Sequence, residues 1–488
     1  MTQSTTAIAR QTALALILGC TFMFHGVAGG KMPVTTTSPE ALKEFLEGRA
    51  LFENLKRQDA APHFRQALVL DPSFALAAAY FAQAEGTAGG FFDNLARAVE
   101  LAPRASEGER ELILGWHAGA TGRGAEQKAH WEAAARLYPD DERALTQLGI
   151  YHFGQQEYAQ AVEWFSRALA VNPSFPQAYN QLGYAHRFLG DIPAAEAAFR
   201  RYTELIPDDP NPFDSYAELL LKVGRYGEAI GMYRKALALD PGFTASYVGI
   251  ACAQMYQDRP VEARAEVEEL LRHAHDDGDR RQAYFVSTLT YVEEGKTAEA
   301  IGEMEKEFAI AEKAGDAAAM GADLATMAAI RFEAGDVQEA ERLYGRAADV
   351  VEHSGLADQV KAITRLGNRY NTAMIAAARG ASDRAWDEAS TMQHDAEALG
   401  NTFLTRQAHE AKGRIALLRK DARRAIDELH LASDLNPYNL YRLGLAHRAL
   451  GEEQEAQRWF KAAAGFNGLP LLNYAFVRAR ARAALAAN

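Results

Sequence analysis

The chain has 488 residues, and 48% of them are hydrophobic, which is enough for a large buried core. Its net charge of −13 repels the phosphate backbones of nucleic acids, and no long run of Lys or Arg offsets that charge. The two cysteines, Cys20 and Cys252, do not suffice for a disulfide framework in the folded part. We therefore expect no nucleic-acid partner and a fold that is stabilised by its hydrophobic core.

The first thirty residues have the layout of an export signal. One positive charge, Arg10, precedes an apolar stretch over residues 13–24, and a small-x-small motif suited to cleavage follows at residues 26–28. The pattern predicts a signal peptide over residues 1–28 and a linker over residues 29–38. The bulk of the chain is then expected outside the cytoplasm, either periplasmic or secreted.

Two alternative interpretations of this segment stay open. Residues 17–20, Ile-Leu-Gly-Cys, resemble the box in which Cys20 of a lipoprotein would accept a lipid. The apolar stretch could also remain as an uncleaved anchor, although it is shorter than the roughly 20 residues of a membrane-spanning helix. All three interpretations export the chain, and they leave membrane association to the N-terminus only.

A repeat of 34 residues organises the middle of the chain. Prolines occur at Pro139, Pro173, Pro207 and Pro241, each 34 residues after the one before. Thirty-four residues accommodate two helices of about a dozen residues and two tight turns. The same set of three residues precedes each of the last three prolines. It consists of a small residue, an aromatic residue four positions after it, and a third residue three positions after the aromatic one. These sets are Ala161-Phe165-Ala168, Ala195-Phe199-Tyr202 and Ala229-Tyr233-Ala236.

The residue types of each unit have mechanical reasons. Small residues such as Gly149 and Ala161 allow paired helices to approach closely, and large ones such as Phe165 fill the space between neighbouring pairs. Proline ends the second helix, and a glycine such as Gly190 closes the first in the left-handed conformation. The small position of the second helix recurs in twelve units, at Ala60, Phe91, Gln127, Ala161, Ala195, Ala229, Ala263, Ala300, Ala340, Ala385, Ala425 and Ala456.

The units are not all alike. Phe91 and Gln127 break the small-residue rule, so units two and three are predicted to be irregular. After Ala263 the spacing between units grows beyond 34 residues, which predicts longer helices. Residues 471–487 have a helix-forming composition and no partner helix, which is typical of a terminal cap.

These units resemble tetratricopeptide repeats, whose pattern runs aromatic, Leu-Gly, Tyr, then Ala, Phe, Ala, Pro. The resemblance implies an all-α, right-handed superhelical solenoid of about twelve antiparallel helix pairs with a C-terminal capping helix. It also implies a division of the chain into a repeat array at 39–275, clearest at 140–241, longer-helix units at 276–436, and a final repeat and capping helix at 437–488. Less specifically, residues 40–173 resemble repeat arrays attached to bacterial serine/threonine kinases and winged-helix regulators, although neither of those domains is present.

The sequence offers no arrangement that is typical of an enzyme. His152, His186 and His447 occupy a core position of the repeat, and residues 272–279 are rich in His and Asp without the spacing of an established metal loop. Residues 119–124 are rich in glycine but lack the Lys-Ser/Thr pair of a phosphate loop. Cys252 has no evident base partner. We therefore expect a non-enzymatic chain with no catalytic residue, no cofactor and no metal.

The resemblance implies that the first helix of each pair lines a concave groove. The clamp that chaperone-binding members of the family use is not reproduced, because its positions here include Thr146, Ile150, Gln181 and Asp214. An amide- and aromatic-rich groove suits an extended peptide. The candidate groove residues are Trp116, Arg143, Gln147, Asn180, Gln181, Tyr184, Arg187, Asp214, Glu218 and Tyr256.

The leading interpretation is an exported scaffold of a bacterial envelope that binds a protein or an extended peptide of unknown identity in this groove. The alternative is a sensor array that binds a small ligand or a glycan and signals to a partner protein.

Overall fold

The computed structural model describes residues 30–85 and 88–487, and the predicted signal peptide with Cys20 lies outside these residues. The described part contains 25 α-helices and no strand. The predicted all-α fold of twelve helix pairs and one further helix is confirmed, because α1 to α24 form successive antiparallel hairpins and α25 follows them. Each predicted anchor position lies in the second helix of its own hairpin.

The chain divides into two compact units, residues 1–178 and 179–488, with the boundary inside α9. The helices up to the boundary are α1 (Pro39–Glu53), α2 (Arg57–Leu70), α3 (Ala75–Ala84), α4 (Ala88–Leu101), α5 (Glu107–Ala120), α6 (Gly124–Leu137), α7 (Glu142–Gly154), α8 (Tyr158–Val171) and α9 (Pro176–Leu189). Those beyond it are α10 (Ile192–Leu205), α11 (Pro210–Lys222), α12 (Tyr226–Leu239), α13 (Thr244–Tyr256), α14 (Pro260–His273), α15 (Asp277–Glu293), α16 (Thr297–Ala314), α17 (Ala317–Glu333), α18 (Val337–Glu352), α19 (Asp358–Ala378), α20 (Ser382–Ala398), α21 (Thr402–Leu418), α22 (Ala422–Leu431), α23 (Pro437–Ala449), α24 (Glu453–Ala464) and α25 (Leu472–Ala486).

Within a hairpin, a small residue of the first helix faces a large residue of the second. A Cβ added to Gly149 would lie 2.4 Å from Cε1 of Phe165, and one added to Gly183 would lie 2.7 Å from Cζ of Phe199. Contacts this short leave no room for a side chain larger than hydrogen, so the glycines set the distance between the paired helices. The predicted close approach at Gly149 is confirmed.

Helix length changes along the second unit. The helices α10 to α14 have 13 or 14 residues, whereas α15 to α21 have 16 to 21 residues. In this unit α13 contacts both α11 and α15, and α21 contacts both α19 and α23. We call the surface formed by these first helices the inner face of the second unit. In the described part of the chain, no helix combines the length and the apolarity needed to cross a membrane.

The segment that precedes α1 is tied to the first unit by hydrogen bonds. The backbone amide of Met32 donates to Asp141 Oδ2 at 2.8 Å, and that of Thr35 donates to Glu109 Oε1 at 2.8 Å. Both acidic residues also serve helix starts, because Asp141 caps α7 and Glu109 belongs to the capping box of α5. The predicted linker therefore makes specific contacts with two helices.

Candidate functional site

The ten candidate groove residues fall into two sets. Three of them, Trp116, Arg143 and Gln147, lie on α5 and α7 of the first unit. The other seven lie on α9, α11 and α13 of the second unit. Each set is described within its own unit.

The set in the first unit is held by its neighbours. Trp116 Nε1 donates to Gln147 Oε1 at 3.0 Å, and the indole meets the ring of Tyr80 edge-on with centroids 5.4 Å apart. The guanidinium of Arg143 binds the carboxylate of Glu53, and this ion pair raises the pKa of Arg143 although burial opposes it. These contacts already fix the orientation of the three side chains. Binding of a ligand to them would therefore cost little further conformational entropy.

An ion pair organises the second set. Arg187 Nη1 donates to Glu218 Oε2 at 3.1 Å, and its guanidinium lies 4.9 Å from the ring centroid of Tyr184. Gln181 is half-buried, whereas Asn180 is buried. The structure therefore brings Tyr184 and Arg187 of α9 together with Glu218, which lies on the inner face.

Asp214 lies one helical turn before Glu218 and is also buried. Its Oδ1 accepts a hydrogen bond of 2.7 Å from the hydroxyl of Ser246. Burial, with the nearby charge of Glu218, raises the pKa of Asp214 to about 7. Burial also raises the pKa of Glu218, against the opposing effect of Arg187. A positive charge that approached either carboxyl would lower its pKa and favour its ionised form.

A segment near the end of the described residues lies on the inner face. We call residues 465–487 the C-terminal segment; it consists of an irregular stretch, 465–471, and α25. Lys222 Nζ donates to the backbone carbonyl of Phe466, and Tyr256 Oη donates to that of Gly468. Tyr226 Oη donates to Asn467 Oδ1 at 3.0 Å.

Aromatic and cationic contacts accompany these hydrogen bonds. Lys222 Nζ lies 3.9 Å from the ring centroid of Phe466, and burial lowers the pKa of this lysine to about 8. Tyr256 is 3% exposed, and its ring meets that of Tyr474 with centroids 5.1 Å apart. A ligand could therefore reach Tyr256 only after the C-terminal segment leaves.

Arg478 anchors α25 to the same face. Its side chain is 4% exposed, and its two terminal nitrogens lie 3.0 Å from Glu293 Oε2 and from Asp258 Oδ1. The second nitrogen also donates to the backbone carbonyl of Tyr256 at 2.7 Å. Burial raises the pKa of Glu293 to about 7 although Arg478 opposes the shift.

Two further arginines on α25 extend this attachment. Arg480 binds Glu333 at 2.9 Å, and Arg482 binds Asp258 at 2.9 Å. A cap over the last helix pair was predicted for this region, and α25 does pack against α23 and α24. Its attachment to α13, α15 and α17 was not predicted. The signal in the sequence is the row of arginines at 478, 480 and 482, which a simple cap does not require.

The histidine positions pair locally. His152 Nδ1 lies 2.5 Å from Glu157 Oε2, and His447 Nδ1 lies 2.6 Å from Glu452 Oε2. In each case the acidic residue follows five positions after the histidine, across the turn of the hairpin. His186 has an acidic neighbour at the same spacing, with its Nδ1 3.7 Å from the carboxylate. The geometry fits the packing interpretation of these residues.

The remaining motifs have structural roles. Asp276 caps α15 by accepting a hydrogen bond of 2.9 Å from the amide of Asp279, and the glycine-rich stretch 119–124 spans the end of α5, the turn at 121–123 and the first residue of α6. Burial raises the pKa of Cys252 to about 12, so its thiol stays protonated at neutral pH. Within residues 30–85 and 88–487, the group with metal-ligand spacing is Glu44, Glu47 and His63, in which His63 Nδ1 already pairs with Glu44 at 2.8 Å.

Stacked helical hairpins with a face lined by the first helix of each pair define a helical-repeat protein. A family model described as tetratricopeptide repeat matches residues 114–170 and 146–210, and another of the same description matches residues 220–284. The chain therefore contains tetratricopeptide repeats over these residues. Members of this family bind protein partners, and they are generally non-enzymatic scaffolds.

Short stretches of the chain are similar to curated proteins. A stretch of 102 residues is 31% identical to BBSome complex member BBS4 of Xenopus tropicalis and covers 21% of this chain and 20% of that protein. A stretch of 122 residues is 33% identical to tetratricopeptide repeat protein 13 of Homo sapiens, with coverages of 24% and 14%. Anaphase-promoting complex subunit 6 of Arabidopsis thaliana is 27% identical over 134 residues, with coverages of 26% and 24%. The chain thus spans less than a quarter of the length of these relatives.

Two solved structures are partly similar to this chain. A tetratricopeptide repeat protein from Parabacteroides merdae ATCC 43184 is 16% identical, with a TM-score of 0.40, and the match covers 53% of this chain and 98% of that one. A chain of the Cut9–Hcn1 hetero-tetramer of the anaphase-promoting complex is 14% identical, also with a TM-score of 0.40, and the match covers 87% of this chain and 76% of that one.

Proposed function

We propose that this chain is an exported, non-enzymatic scaffold that binds an extended segment of a partner protein on the inner face of its second unit. The observation that carries the proposal is the irregular stretch 465–471, which already occupies that face. Lys222 and Tyr256 donate hydrogen bonds to its backbone carbonyls. Groups that hold the backbone of one segment in this way can hold another, because backbone carbonyls are common to all sequences.

The side-chain contacts suggest what such a segment contains. Phe466 packs its ring against the ammonium of Lys222, and Asn467 accepts a hydrogen bond from the hydroxyl of Tyr226. Backbone hydrogen bonds supply affinity, and pockets for particular side chains supply specificity. We therefore propose a partner segment with an aromatic residue followed by a small polar residue. The neighbouring set of Tyr184, Arg187 and Gln181 would contact the rest of such a segment.

The C-terminal segment would act as an internal competitor for the partner. An intramolecular ligand is present at a high effective concentration, on the order of millimolar for a short flexible connection. Residue 465 follows directly on α24, so the connection here is short. A partner that exchanges with the C-terminal segment would bind more tightly when that segment is loosened.

The experiment is a binding titration with a labelled peptide of residues 465–487, added to the full chain and followed by fluorescence anisotropy. The wild-type chain is compared with the variant Arg478→Met, in which the C-terminal segment is less firmly held. On that background, Lys222→Met and Tyr256→Phe each remove one hydrogen bond to the peptide backbone. Loss of one such bond costs about 1 kcal/mol, which corresponds to a roughly fivefold weaker affinity.

Two controls sharpen the result. Arg201 is exposed on α10, in an ion pair with Glu204, so Arg201→Ala should leave the affinity unchanged. A peptide in which the positions of Phe466 and Asn467 are alanine should bind less tightly. Equal affinity of the peptide for the wild-type chain and for Arg478→Met, or no effect of either inner-face substitution, would place peptide binding elsewhere and refute the proposal.

Export is proposed from the N-terminal sequence alone. A charged residue, an apolar stretch and a small-x-small motif support a cleaved signal peptide over residues 1–28, with the lipid-acceptor interpretation of Cys20 as the alternative. Intact mass spectrometry of the chain purified from a bacterial envelope fraction tests it. An N-terminus at Gly29 supports cleavage, a diacylglyceryl mass on Cys20 supports lipidation, and an uncleaved chain in the cytoplasmic fraction contradicts export.

A further inference from the structure

A cavity of about 300 Å³ lies between the inner face and the C-terminal segment, within the second unit. Leu469 and Pro470 form one wall, and side chains of α11, α12, α13 and α15 form the others. The lining residues that determine its chemistry are Asp214, Glu218, Tyr233, Phe285 and Leu469. The volume is that of a site for a small molecule.

One polar group in this lining has no protein partner. Tyr233 is fully buried, and its hydroxyl has no hydrogen-bond partner among the described residues. The ring passes over Gly249, where an added Cβ would lie 2.1 Å from the phenol Cζ. A buried hydroxyl without a partner costs free energy, on the order of 1–3 kcal/mol, unless a ligand or water satisfies it. The unpartnered hydroxyl of Tyr233 therefore indicates that the cavity has an occupant.

The charges in the lining are those of two carboxyls, Asp214 and Glu218. Arg187 pairs with Glu218 at 3.1 Å and offsets its charge. The groups that act on Asp214 are Glu218 and the hydroxyl of Ser246, so among the described residues its ionised form has no cationic partner of its own. A positive group in the cavity would supply that partner. Apolar and aromatic walls, including Phe285, surround the two carboxyls.

We propose that this cavity binds a small organic cation, an ammonium or guanidinium group on a short apolar stem. The cation would pair with Asp214 and donate a hydrogen bond to Tyr233 Oη, while the stem packs against Phe285 and Leu469. Such a group is found on a free amine and also on the side chain of a lysine or arginine. Because Leu469 belongs to the wall, a bound cation would also stabilise the seated C-terminal segment. This inference stands independently of the peptide proposal, since it requires the segment to remain in place.

The test is calorimetric titration of the full chain with phenethylamine, with Nα-acetyl-lysine methylamide and with the neutral 2-phenylethanol. We expect a cation to bind and the alcohol to bind at least tenfold more weakly. Binding of phenethylamine alone assigns a free amine, and binding of the lysine derivative alone assigns a side chain; either supports a cation site. No binding by either cation, or equal binding by the alcohol, would overturn the proposal.

Variants locate the cation in the cavity. Asp214→Asn should weaken binding at least tenfold, and Tyr233→Phe should weaken it a fewfold without loss of thermal stability, because the hydroxyl has no partner to lose. The matched control is Asp208→Asn, which removes an exposed carboxyl outside the lining. Saturation with the bound cation should also slow hydrogen exchange at residues 468–471. Unchanged affinity in Asp214→Asn, or unchanged exchange in that stretch, would refute the assignment.

Discussion

The substitution Arg478→Met removes the guanidinium that ties α25 to the inner face and leaves an apolar side chain of similar length. Glu293, whose side chain is 14% exposed, then loses its cation, and Asp258 keeps Arg482. Removal of one partner from a buried ion pair costs about 3–5 kcal/mol, because the other charge stays buried without compensation. At pH 8 the carboxyl of Glu293 is ionised in the wild-type chain, since its pKa is about 7. We therefore expect α25 to lose about 3 kcal/mol of its attachment at that pH.

Hydrogen exchange measures this loss at the helix itself. A change of about 3 kcal/mol in the opening free energy corresponds to roughly 100-fold faster exchange of the amides of α25. The matched control is Arg482→Met, because that side chain is 41% exposed and pairs with an exposed carboxylate. A surface ion pair is worth less than about 1 kcal/mol, so exchange should change at most about fivefold.

A second variant tests whether the unpaired charge of Glu293 causes the loss of attachment. Adding Glu293→Gln to Arg478→Met removes the unpaired buried charge and should restore most of the protection of α25. If the two arginine variants had equal effects, or if Glu293→Gln restored nothing, the ion pair would not be what attaches the helix.

Two further predictions concern stability. Gly149→Ala should destabilise the chain by about 1–2 kcal/mol in urea unfolding, because overpacking against Phe165 outweighs the better helix propensity of alanine. The matched Gly231→Ala, also within a helix but with open space around the added Cβ, should stabilise it by about 0.5–1 kcal/mol. For Asp214, the folded pKa of about 7 lies above its ordinary value of 3.8, so its contribution to stability is greatest below pH 3.8 and falls by about 1.4 kcal/mol per pH unit up to pH 7. In the Asp214→Asn variant, in which Glu218, Tyr233 and Ser246 are unchanged, this fall in stability should be absent. If the free energies of unfolding of the variant and the wild type changed in parallel with pH, the raised pKa of Asp214 would be contradicted.

The helix pairs could be predicted because their information is local. The 34-residue spacing of the prolines and the small residue in each second helix depend on contacts within one hairpin or between neighbours. Phe91 and Gln127 were the expected irregular positions, and the structure accommodates Gln127 by placing Gly119 opposite it, with only 2.4 Å between an added Cβ and the amide nitrogen. Longer spacings after Ala263 likewise signalled longer helices, since extra residues in a hairpin must lengthen its arms.

The contacts of the two ends of the chain could not be predicted in this way. Met32 bonds to Asp141 across 109 positions, and Arg478 bonds to Tyr256 across 222 positions. Repeat periodicity describes how each hairpin meets the next and contains no signal for a segment that folds back over several of them. The sequence therefore predicted a helix at the C-terminus but not the face to which it binds.

The candidate groove residues remain a prediction, but the structure changes what each of them could do. Arg187 is engaged with Glu218 and Tyr184, so it presents an oriented guanidinium rather than a free charge. Trp116 and Gln147 bond to each other in the first unit. Pattern alone could not separate Asp214, which lines a cavity, from Tyr256, which is covered by the C-terminal segment.

The buried carboxyl of Glu293 would make the attachment of the C-terminal segment depend on pH. A hydrophobic anchor at residue 478 would be about as stable as a buried ion pair and would not respond to its surroundings. The attachment through Glu293 instead depends on pH: its pKa of about 7 in the seated state lies above the ordinary value of 4.5, so uptake of a proton favours the seated segment and the attachment should weaken as the pH rises from 4.5 to 7. The same stretch of chain closes the cavity at Asp214. A partner peptide and a cation in the cavity would therefore act on one element in opposite directions, the peptide by replacing the seated segment and the cation by holding it in place.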